Sequence, residues 1–406
     1  MSQAGPILFV SNGERPTFLA ALDEARFFPV IDTGWAGAVR AVEEVQPAAV
    51  LAAMHAGHEP HLAPLASKIA EQSPYLPFVA LDAAGALPHN VLPFSSSRAG
   101  HSERLIARLR AALRIRTLHA TVLRRLPEVK VALPEADPVR DATVLLIGRG
   151  AAYPALSVAL GERVGVIGAL SIEAAAKHLN TRDLDGVVLA EGFTPRVTDA
   201  FLTVLAEDTR FRSLPVVVTA HQLTQTYDLP NLELIPGEPA KVAANALPLI
   251  RQHAMEAQLS RTLRSIDAGG WLDPRSGLLT AEAFARDFAK AVEQTLARGG
   301  GLSVARFAFD PGNSQLDAAR ILSRLMRQMD FGVAQKDGSV VVVFAETDFR
   351  TAHMIARRLS AVMRHTSNGK HEMRSDPVVS VDSLSPSDTA RSLLGRLSAE
   401  ASRAAS

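Results

Sequence analysis

The chain has 406 residues, 47% of them hydrophobic, so it exceeds one ordinary hydrophobic core and predicts two to three domains. Its 43 basic and 42 acidic residues nearly cancel, which excludes the strong positive field of a general nucleic-acid binder. No cysteine is present, so disulfide frameworks, thiolate zinc sites and cysteine nucleophiles are excluded.

The sequence carries no membrane signal. Residues 1–6 contain no basic region followed by an apolar stretch, and no apolar run approaches the roughly 20 residues that span a bilayer. We therefore expect a cytoplasmic protein without a membrane span.

Residues 1–125 alternate short apolar runs with helical periodicity. Strands are predicted at 7–10, 29–31, 48–53 and 78–81, with helical stretches between them. This alternation favours a parallel sheet covered by helices on both faces. A long basic amphipathic helix is predicted at 102–125, and a hinge that contains proline is predicted at 126–141.

The same pattern recurs in a second domain, which we place at 142–252. Its predicted strands are 143–147, 164–167, 186–190, 216–219 and 232–235. Two such stretches of similar length indicate an internal duplication. A second long helix, 239–266, leads through a helical linker at 253–267 into the last domain, 268–406.

The last domain opens with the segment Asp273-Pro274-Arg275-Ser276-Gly277-Leu278. Thr280 is a plausible N-cap with Glu282 in the first helical turn, and the aromatic Phe284 follows. Strands are predicted at 302–309, 340–344 and 378–381, and helices at 316–330, 351–364 and 388–401.

Near the C-terminus, an Arg-x-x-Asp segment precedes a predicted tight turn. Arg327 and Asp330 are predicted at a helix end, and Asp337-Gly338 between two apolar strands is typical of a hairpin turn. At i and i+3, an arginine and an aspartate project from one helix face. A guanidinium can donate to guanine O6 and N7, and a carboxylate can accept from N1 and N2. The same spacing is also common for a simple surface ion pair.

These patterns resemble three known domains. The first two resemble response-regulator receivers, and residues 267–406 resemble a GGDEF domain, so the whole layout resembles the PleD-type regulators. The predicted fold class is α/β, with two flavodoxin-like, receiver-like, doubly wound parallel sheets. A GGDEF-like α/β domain with a mixed central sheet follows.

The receiver resemblance lacks the residues of phosphotransfer, which needs an acidic pair, an acceptor aspartate and a lysine. In the first domain these positions align with Ser11 and Asn12, Ala53 and Leu92. In the second they align with Gly148 and Arg149, Ala190 or Glu191, and Ile235, while Thr219 alone matches. Both domains are therefore predicted to be pseudo-receivers that contact protein partners.

The GGDEF resemblance lacks the residues of catalysis. At the signature turn the chain has Lys336, Asp337, Gly338, Ser339 and Val340. The family's metal aspartate aligns with Arg306, and Pro311-Gly312-Asn313 replaces a longer guanine-recognising loop. The chain is therefore predicted not to be an enzyme and to have no catalytic residue, metal or cofactor.

In this family, cyclic di-GMP binds an inhibitory site built on Arg-x-x-Asp. The resemblance therefore implies that Arg327 and Asp330 bind cyclic di-GMP. It adds an arginine from a later helix, often of a partner subunit, for which Arg358 fits best and Arg357 is the alternative.

A histidine cluster, His55, His58 and His61 with Glu59 between them, has spacing that could reach a metal. It follows the third predicted strand, where a solvated or partner-facing loop tolerates any polar residue. We expect a loop there and not a metal site.

The resulting hypothesis is a catalytically inactive cyclic di-GMP effector or adaptor of bacterial signalling. It resembles the PopA-type effectors, which implies contacts with signalling or proteolysis-adaptor proteins, recruitment to a cell pole and a homodimer as a further option. The alternatives are a ligand-independent scaffold and a residual diguanylate cyclase.

Overall fold

The computed structural model divides the chain into two compact units. Unit 1 comprises Met1–Arg124, Ala136–Ala175 and Leu184–Leu259, and unit 2 comprises Arg125–Glu135, Ala176–Asp183 and Ser260–Ser406. The structure describes residues 6–13, 16, 19–24, 29–54, 59–83, 85–96, 101–126, 133, 136–220, 222–298, 301–309, 314–327, 330–345, 347–365 and 377–404.

The first module of unit 1 is a five-stranded parallel sheet. Its strands are β1 (Ile7–Val10), β2 (Val30–Thr33), β3 (Ala49–Ala53), β4 (Phe78–Leu81) and β5 (Val91–Phe94), in the order β2-β1-β3-β4-β5. Its helices are α1 (Leu19–Glu24), α2 (Ala38–Val45), α3 (Glu59–Ala70) and α4 (His101–Arg125). This strand order is that of flavodoxin-like doubly wound sheets.

Both faces of this sheet are buried at its strands β1, β3 and β4, which are apolar at every position. Leu8 and Val10 of β1 belong to an apolar cluster with residues of α2 and α3. Ile7 and Phe9 belong to a cluster on the opposite face with residues of α1 and α4. Burial on both faces explains why the strands are continuous apolar runs.

The second module repeats this architecture. Its strands are β6 (Thr143–Ile147), β7 (Gly165–Ala169), β8 (Gly186–Leu189), β9 (Val216–Val218) and β10 (Leu232–Leu234), all parallel, in the order β7-β6-β8-β9-β10. Its helices are α5 (Tyr153–Gly161), α6 (Ile172–Thr181), α7 (Pro195–Glu207) and α8 (Pro239–Asp267). The two parallel sheets predicted from the sequence are thus present.

The parts of the two long helices that belong to unit 1 share one apolar cluster. One continuous apolar cluster includes Leu105 and Leu109 of α4 together with Ala246 and Leu249 of α8. The predicted helix over 239–266 is present, and its expected helical linker at 253–267 continues the same helix as 239–252. Of the expected hinge at 126–141, the described part includes a short 3₁₀ helix, Pro138–Asp141, whose N-cap Asp137 accepts from the Val139 amide.

Unit 2 contains a four-stranded sheet. Its strands are β11 (Leu302–Ala308), β12 (Phe331–Ala334), β13 (Val340–Ala345) and β14 (Val378–Ser383), in the order β12-β13-β11-β14. Its helices are α9 (Ala281–Arg298), α10 (Ser314–Leu325), α11 (Phe349–His365) and α12 (Ala390–Ala404).

The expectation of a mixed central sheet needs correction. All pairings among the four strands of this sheet are antiparallel. The parallel component is an isolated bridge between Leu279 and Val333 at the β12 edge. The segment that contains Leu279 is too short for a named strand because Thr280 caps α9 immediately afterwards, its hydroxyl accepting from the Ala283 amide at 3.3 Å.

Among the helices that the structure describes, none combines the length and the apolar character needed to cross a bilayer.

Candidate functional site

The carboxyl-terminal edge of the first parallel sheet uses its polar side chains for its own loops. The Asn12 side-chain oxygen accepts from the Trp35 amide at 2.9 Å, and the Ser11 hydroxyl accepts from the Gly13 amide at 3.0 Å. Ala53, at the acceptor position of the resemblance, is 5% exposed. These groups stabilise turns and offer no carboxylate to a cation.

The same edge of the second sheet is closed by backbone contacts. The amides of Arg149 and Gly150 donate to the Glu191 carbonyl oxygen at 3.0 and 3.2 Å. The Glu191 side chain is exposed, and Ala190 is buried. Glu191 therefore contributes its backbone carbonyl to the loop packing, and its exposed side chain lies beside Gly150.

An aromatic ring fills this second edge. A Cβ atom at Gly148 would lie 3.1 Å from the Tyr153 ring, and one at Gly168 would lie 2.3 Å from the Tyr153 hydroxyl. Thr219 has a buried hydroxyl that makes no hydrogen bond to any residue in the described ranges. The ring of Tyr153 therefore occupies the space beside Gly148 and Gly168 at this edge.

The histidine cluster can be placed only in part. His55 and His58 lie outside the described residues, and His61 is exposed on α3. Within the described ranges, no group of three or more histidine or acidic side chains is arranged to hold a metal ion.

The signature turn of unit 2 is held by its own side chains. The Asp337 carboxylate accepts from the Ser339 amide at 2.9 Å and from the Ser339 hydroxyl at 2.6 Å. Gly338 has a φ of +86°, which a side chain would strain. The turn joins β12 to β13, so the predicted hairpin is present.

A cation from the neighbouring strand completes this turn. Arg306 lies on β11, and its guanidinium donates to the Asp337 carboxylate at 3.0 Å. Burial raises the pKa of Asp337, but hydrogen bonds from Ser339 and the Arg306 guanidinium outweigh it and lower the pKa below its ordinary value. The carboxylate of the turn is therefore ionised and already paired with a fixed positive charge.

Arg327 and Asp330 lie outside the helix on which they were predicted. α10 ends at Leu325, so the expectation of a helix through Asp330 was wrong. The Asp330 carboxylate accepts from the Arg327 amide at 3.3 Å, and the Asp330 amide donates to the Arg327 carbonyl at 3.0 Å. This local ring of hydrogen bonds competes with continued helix, as aspartate side chains often do.

The two side chains remain in a geometry that a ligand can reach. Arg327 is exposed, and Asp330 is partly buried. The second Asp330 oxygen accepts from the Ala345 amide at the end of β13, at 3.3 Å. The carboxylate is thus held in place by two backbone amides beside an open guanidinium.

Burial dominates the electrostatics of Asp330. Loss of water around the carboxylate raises its pKa above the ordinary value, while the two backbone amides and the nearby Arg327 charge oppose that rise. A carboxylate in this state gains from any further hydrogen-bond donor that stabilises its charge.

The two candidate arginines of the later helix are both on α11. Arg357 and Arg358 are exposed, while Ala356 and Leu359 of the same helix are buried against the sheet cluster. Both guanidinium groups are therefore on the solvent-facing side of α11.

The segment at the start of unit 2's sheet domain is a compact turn. The Asp273 side chain accepts from the amides of Arg275 and Ser276 at 3.1 and 3.2 Å, and Gly277 has a φ of +77°. Phe284 is buried and stacks on Phe288 with ring centroids 5.5 Å apart. The segment that carried the sequence resemblance therefore has a structural role.

Sequence reasoning missed the partners of these residues. It did not identify the Ala345 amide, the Tyr153 ring or the salt bridge between Arg306 and Asp337. Only the salt bridge could have been predicted from the sequence, since a charged residue within the predicted apolar strand 302–309 needs a partner.

No protein-family profile and no curated protein matches this chain. Solved structures that resemble part of it are GGDEF domains. A sensory box/GGDEF family protein from Caulobacter crescentus is 19% identical and matches over 33% of this chain and 96% of its own, with a TM-score of 0.30.

Two further structures have similar values. The coiled coil and GGDEF domain of DgcB from Caulobacter crescentus, in complex with c-di-GMP, is 16% identical over 36% of this chain and 85% of its own, with a TM-score of 0.28. The FimX GGDEF domain from Pseudomonas aeruginosa is 18% identical over 33% of this chain and 93% of its own, with a TM-score of 0.29. At these identities and TM-scores, the likeness says nothing about what this chain binds or catalyses.

Proposed function

We propose that this protein is a catalytically inactive effector that binds cyclic di-GMP through Arg327 and Asp330. The observation that supports binding is the open Arg327 guanidinium beside a carboxylate fixed by two backbone amides. A guanine base presents O6 and N7 to a guanidinium, and N1 and N2 to a carboxylate. Arg358 or Arg357 would supply a second guanidinium for the phosphates or the other base.

The salt bridge between Arg306 and Asp337 supports catalytic inactivity. Joining two GTP molecules needs carboxylates that hold divalent ions near the phosphates. Here a guanidinium stands at the position that the resemblance gives to a metal aspartate, and it neutralises the acidic side chain of the turn. A fixed cation at this place repels the ions that the reaction requires.

The two parallel-sheet modules fit the role of degenerate receivers in this proposal. Their carboxyl-terminal edges offer no buried carboxylate at Ala53 or Ala190 for phosphorylation. Their remaining role is to contact other signalling or proteolysis-adaptor proteins in the cytoplasm, with the nucleotide as the regulating ligand.

The test of binding is titration calorimetry with cyclic di-GMP. The wild type should bind with a micromolar dissociation constant, and Arg327→Ala should weaken binding by about 5- to 150-fold, since a bidentate base contact contributes about 1 to 3 kcal/mol. Arg391→Ala, which removes an exposed arginine of α12, is the matched control and should bind like the wild type. Equal heats from all three proteins, or none from any, would contradict the proposed site.

Absence of catalysis is tested separately. Incubation of the wild type with GTP and magnesium should yield no cyclic di-GMP, because the carboxylate of the turn, Asp337, is already paired with Arg306. Product formation that Arg306→Ala alters would establish the residual cyclase instead.

The contacts of Asp330 also suit a ligand-independent scaffold, since a carboxylate with two amide donors can serve the fold alone. In that case no heat appears on titration, while Asp330→Ala lowers the melting temperature. Saturable binding that Arg327→Ala weakens excludes this alternative.

A further inference from the structure

A buried group of charges joins the two parallel-sheet modules of unit 1. We call Arg104, Arg108 and Glu233 the Arg108 cluster. Arg108 on α4 is fully buried, and Glu233 on β10 is 2% exposed. Nη2 of Arg108 lies 2.9 Å from Oε1 of Glu233, and Arg104 donates to the same oxygen over a longer 3.4 Å.

The Arg108 guanidinium also bonds to the backbone of both modules. Its Nη1 donates to the Pro93 carbonyl in β5 at 2.9 Å, and its Nε donates to the Pro230 carbonyl before β10 at 2.6 Å. Since β5 and β10 are the edge strands of their sheets, one side chain links both edges. The planar fork of an arginine suits this simultaneous contact with several acceptors.

Arg108 is the member of the cluster that is fully buried from solvent. Arg104 lines a solvent-open cavity of about 450 Å³ between α4 and the loop before β10, whereas Arg108 is not part of its lining. Water can therefore compensate for changes at Arg104 but not at Arg108.

Two kinds of interaction act at this joint. The continuous apolar cluster includes Leu109 of α4 and Ile235 after β10. It stabilises the contact between the modules through the hydrophobic effect, which is not directional. The hydrogen bonds of the buried charges, by contrast, form only when the edge strands β5 and β10 have one particular relative position. Removal of one partner from such a group leaves an uncompensated buried charge, which is strongly destabilising.

We propose that the two modules form one permanently joined body. The Arg108 cluster fixes their relative position, so a phosphorylation signal could not change it. The contacts lie on β5 and on or just before β10. The receiver resemblance expects a lysine at Leu92 of β5 and at Ile235, the residue after β10. The proposal concerns unit 1 alone and does not rest on nucleotide binding.

Hydrogen exchange with mass spectrometry on the full chain, over a series of urea concentrations, tests this proposal. In the wild type, β5 and β10 should lose protection at the same urea concentration, because they open together. Glu233→Gln should speed native-state exchange by about 100-fold or more in both strands, while β8, the central strand of the second sheet, stays protected.

Glu256→Gln is the matched control. It removes a partly exposed ion pair with Arg114, 3.1 Å long, that also connects α4 to α8. Exposed pairs contribute little, so exchange in β5 and β10 should change by less than about fivefold.

Separate urea midpoints for β5 and β10 in the wild type would overturn the proposal. Faster exchange in β10 alone in Glu233→Gln would do the same, since the modules would then open independently. If Glu233→Gln does not fold, the wild-type midpoints decide the question without it.

Discussion

Two carboxylates of unit 2 respond in opposite ways to their surroundings. Asp337 has its pKa lowered because Ser339 and Arg306 together outweigh its burial. Asp330 has its pKa raised because burial outweighs its two backbone amides and Arg327. Asp337 therefore has little to gain from a ligand, whereas Asp330 gains from each additional donor, which makes Asp330 the better candidate for guanine recognition.

Affinity for cyclic di-GMP should fall as the pH falls through the raised pKa of Asp330. The free protein holds a proton there at a higher pH than an ordinary aspartate does, and guanine N1 and N2 can donate only to the ionised form. Binding should therefore release a proton when the pH is close to the raised pKa of Asp330.

Calorimetry in two buffers with different ionisation heats measures this release directly. Asp330→Asn should bind weakly and without the pH dependence. An unchanged wild-type affinity down to about pH 4, the ordinary range of aspartate, would show that Asp330 does not contact the base.

At this scale the sequence predicted residue identities better than contacts. It identified the Asp337-Gly338 turn and the unusual Arg306 separately. Their pairing depends on the register that places Arg306 opposite Val341 in the β11 and β13 ladder, which one sequence does not specify. The end of α10 was predicted too far along the chain because the helical pattern of the sequence continues past Leu325. In the structure the Asp330 carboxylate accepts from the Arg327 amide instead.

At the scale of elements, one arginine fastens the last helix to an edge strand. Arg396 of α12 donates to Asp382 on β14 at 2.6 Å, to the Ser383 carbonyl at 3.0 Å, and to Asp388 before the helix. This contact lowers the pKa of Asp388 to about 2. Because β14 is at the edge of its sheet, this arginine satisfies one backbone carbonyl of an edge strand.

Arg396→Gln should lower the free energy of unfolding at neutral pH by about 1 kcal/mol, since the side chain is partly exposed. The folded pKa of Asp388 is depressed, so its stabilisation is present above the ordinary aspartate pKa and is lost as the pH falls through about 2. The difference between wild type and variant should therefore shrink on acidification.

Urea unfolding at neutral pH and near pH 3 measures this change. Arg391→Gln, an exposed arginine on the same helix, should have almost no effect at either pH. A difference that is equally large at both values would mean that Arg396 acts through packing and not through Asp388.

Strand and helix positions were the most predictable elements. The strands β1, β4 and β6 begin and end at the residues expected from their apolar runs. The isolated Leu279 bridge was not predictable, because it depends on a contact with Val333 more than fifty positions away and not on a local pattern.

For the whole molecule, the duplication was predictable from the sequence. The buried contact that joins the two parallel-sheet modules was not. Each half has its own periodicity, so two parallel sheets follow from local patterns. Arg108, by contrast, looks in sequence like any basic residue of an amphipathic helix. Its burial depends on Pro230 and Glu233, more than 120 positions later, and no spacing rule connects them.

The Arg108 cluster has a consequence for how such a chain can diverge over generations. A lone change at either Arg108 or Glu233 strands a charge in the interior, whereas simultaneous replacement of both by apolar residues of similar volume can be neutral. Proteins that descend from this one should therefore keep both residues or replace both, so the two positions should covary.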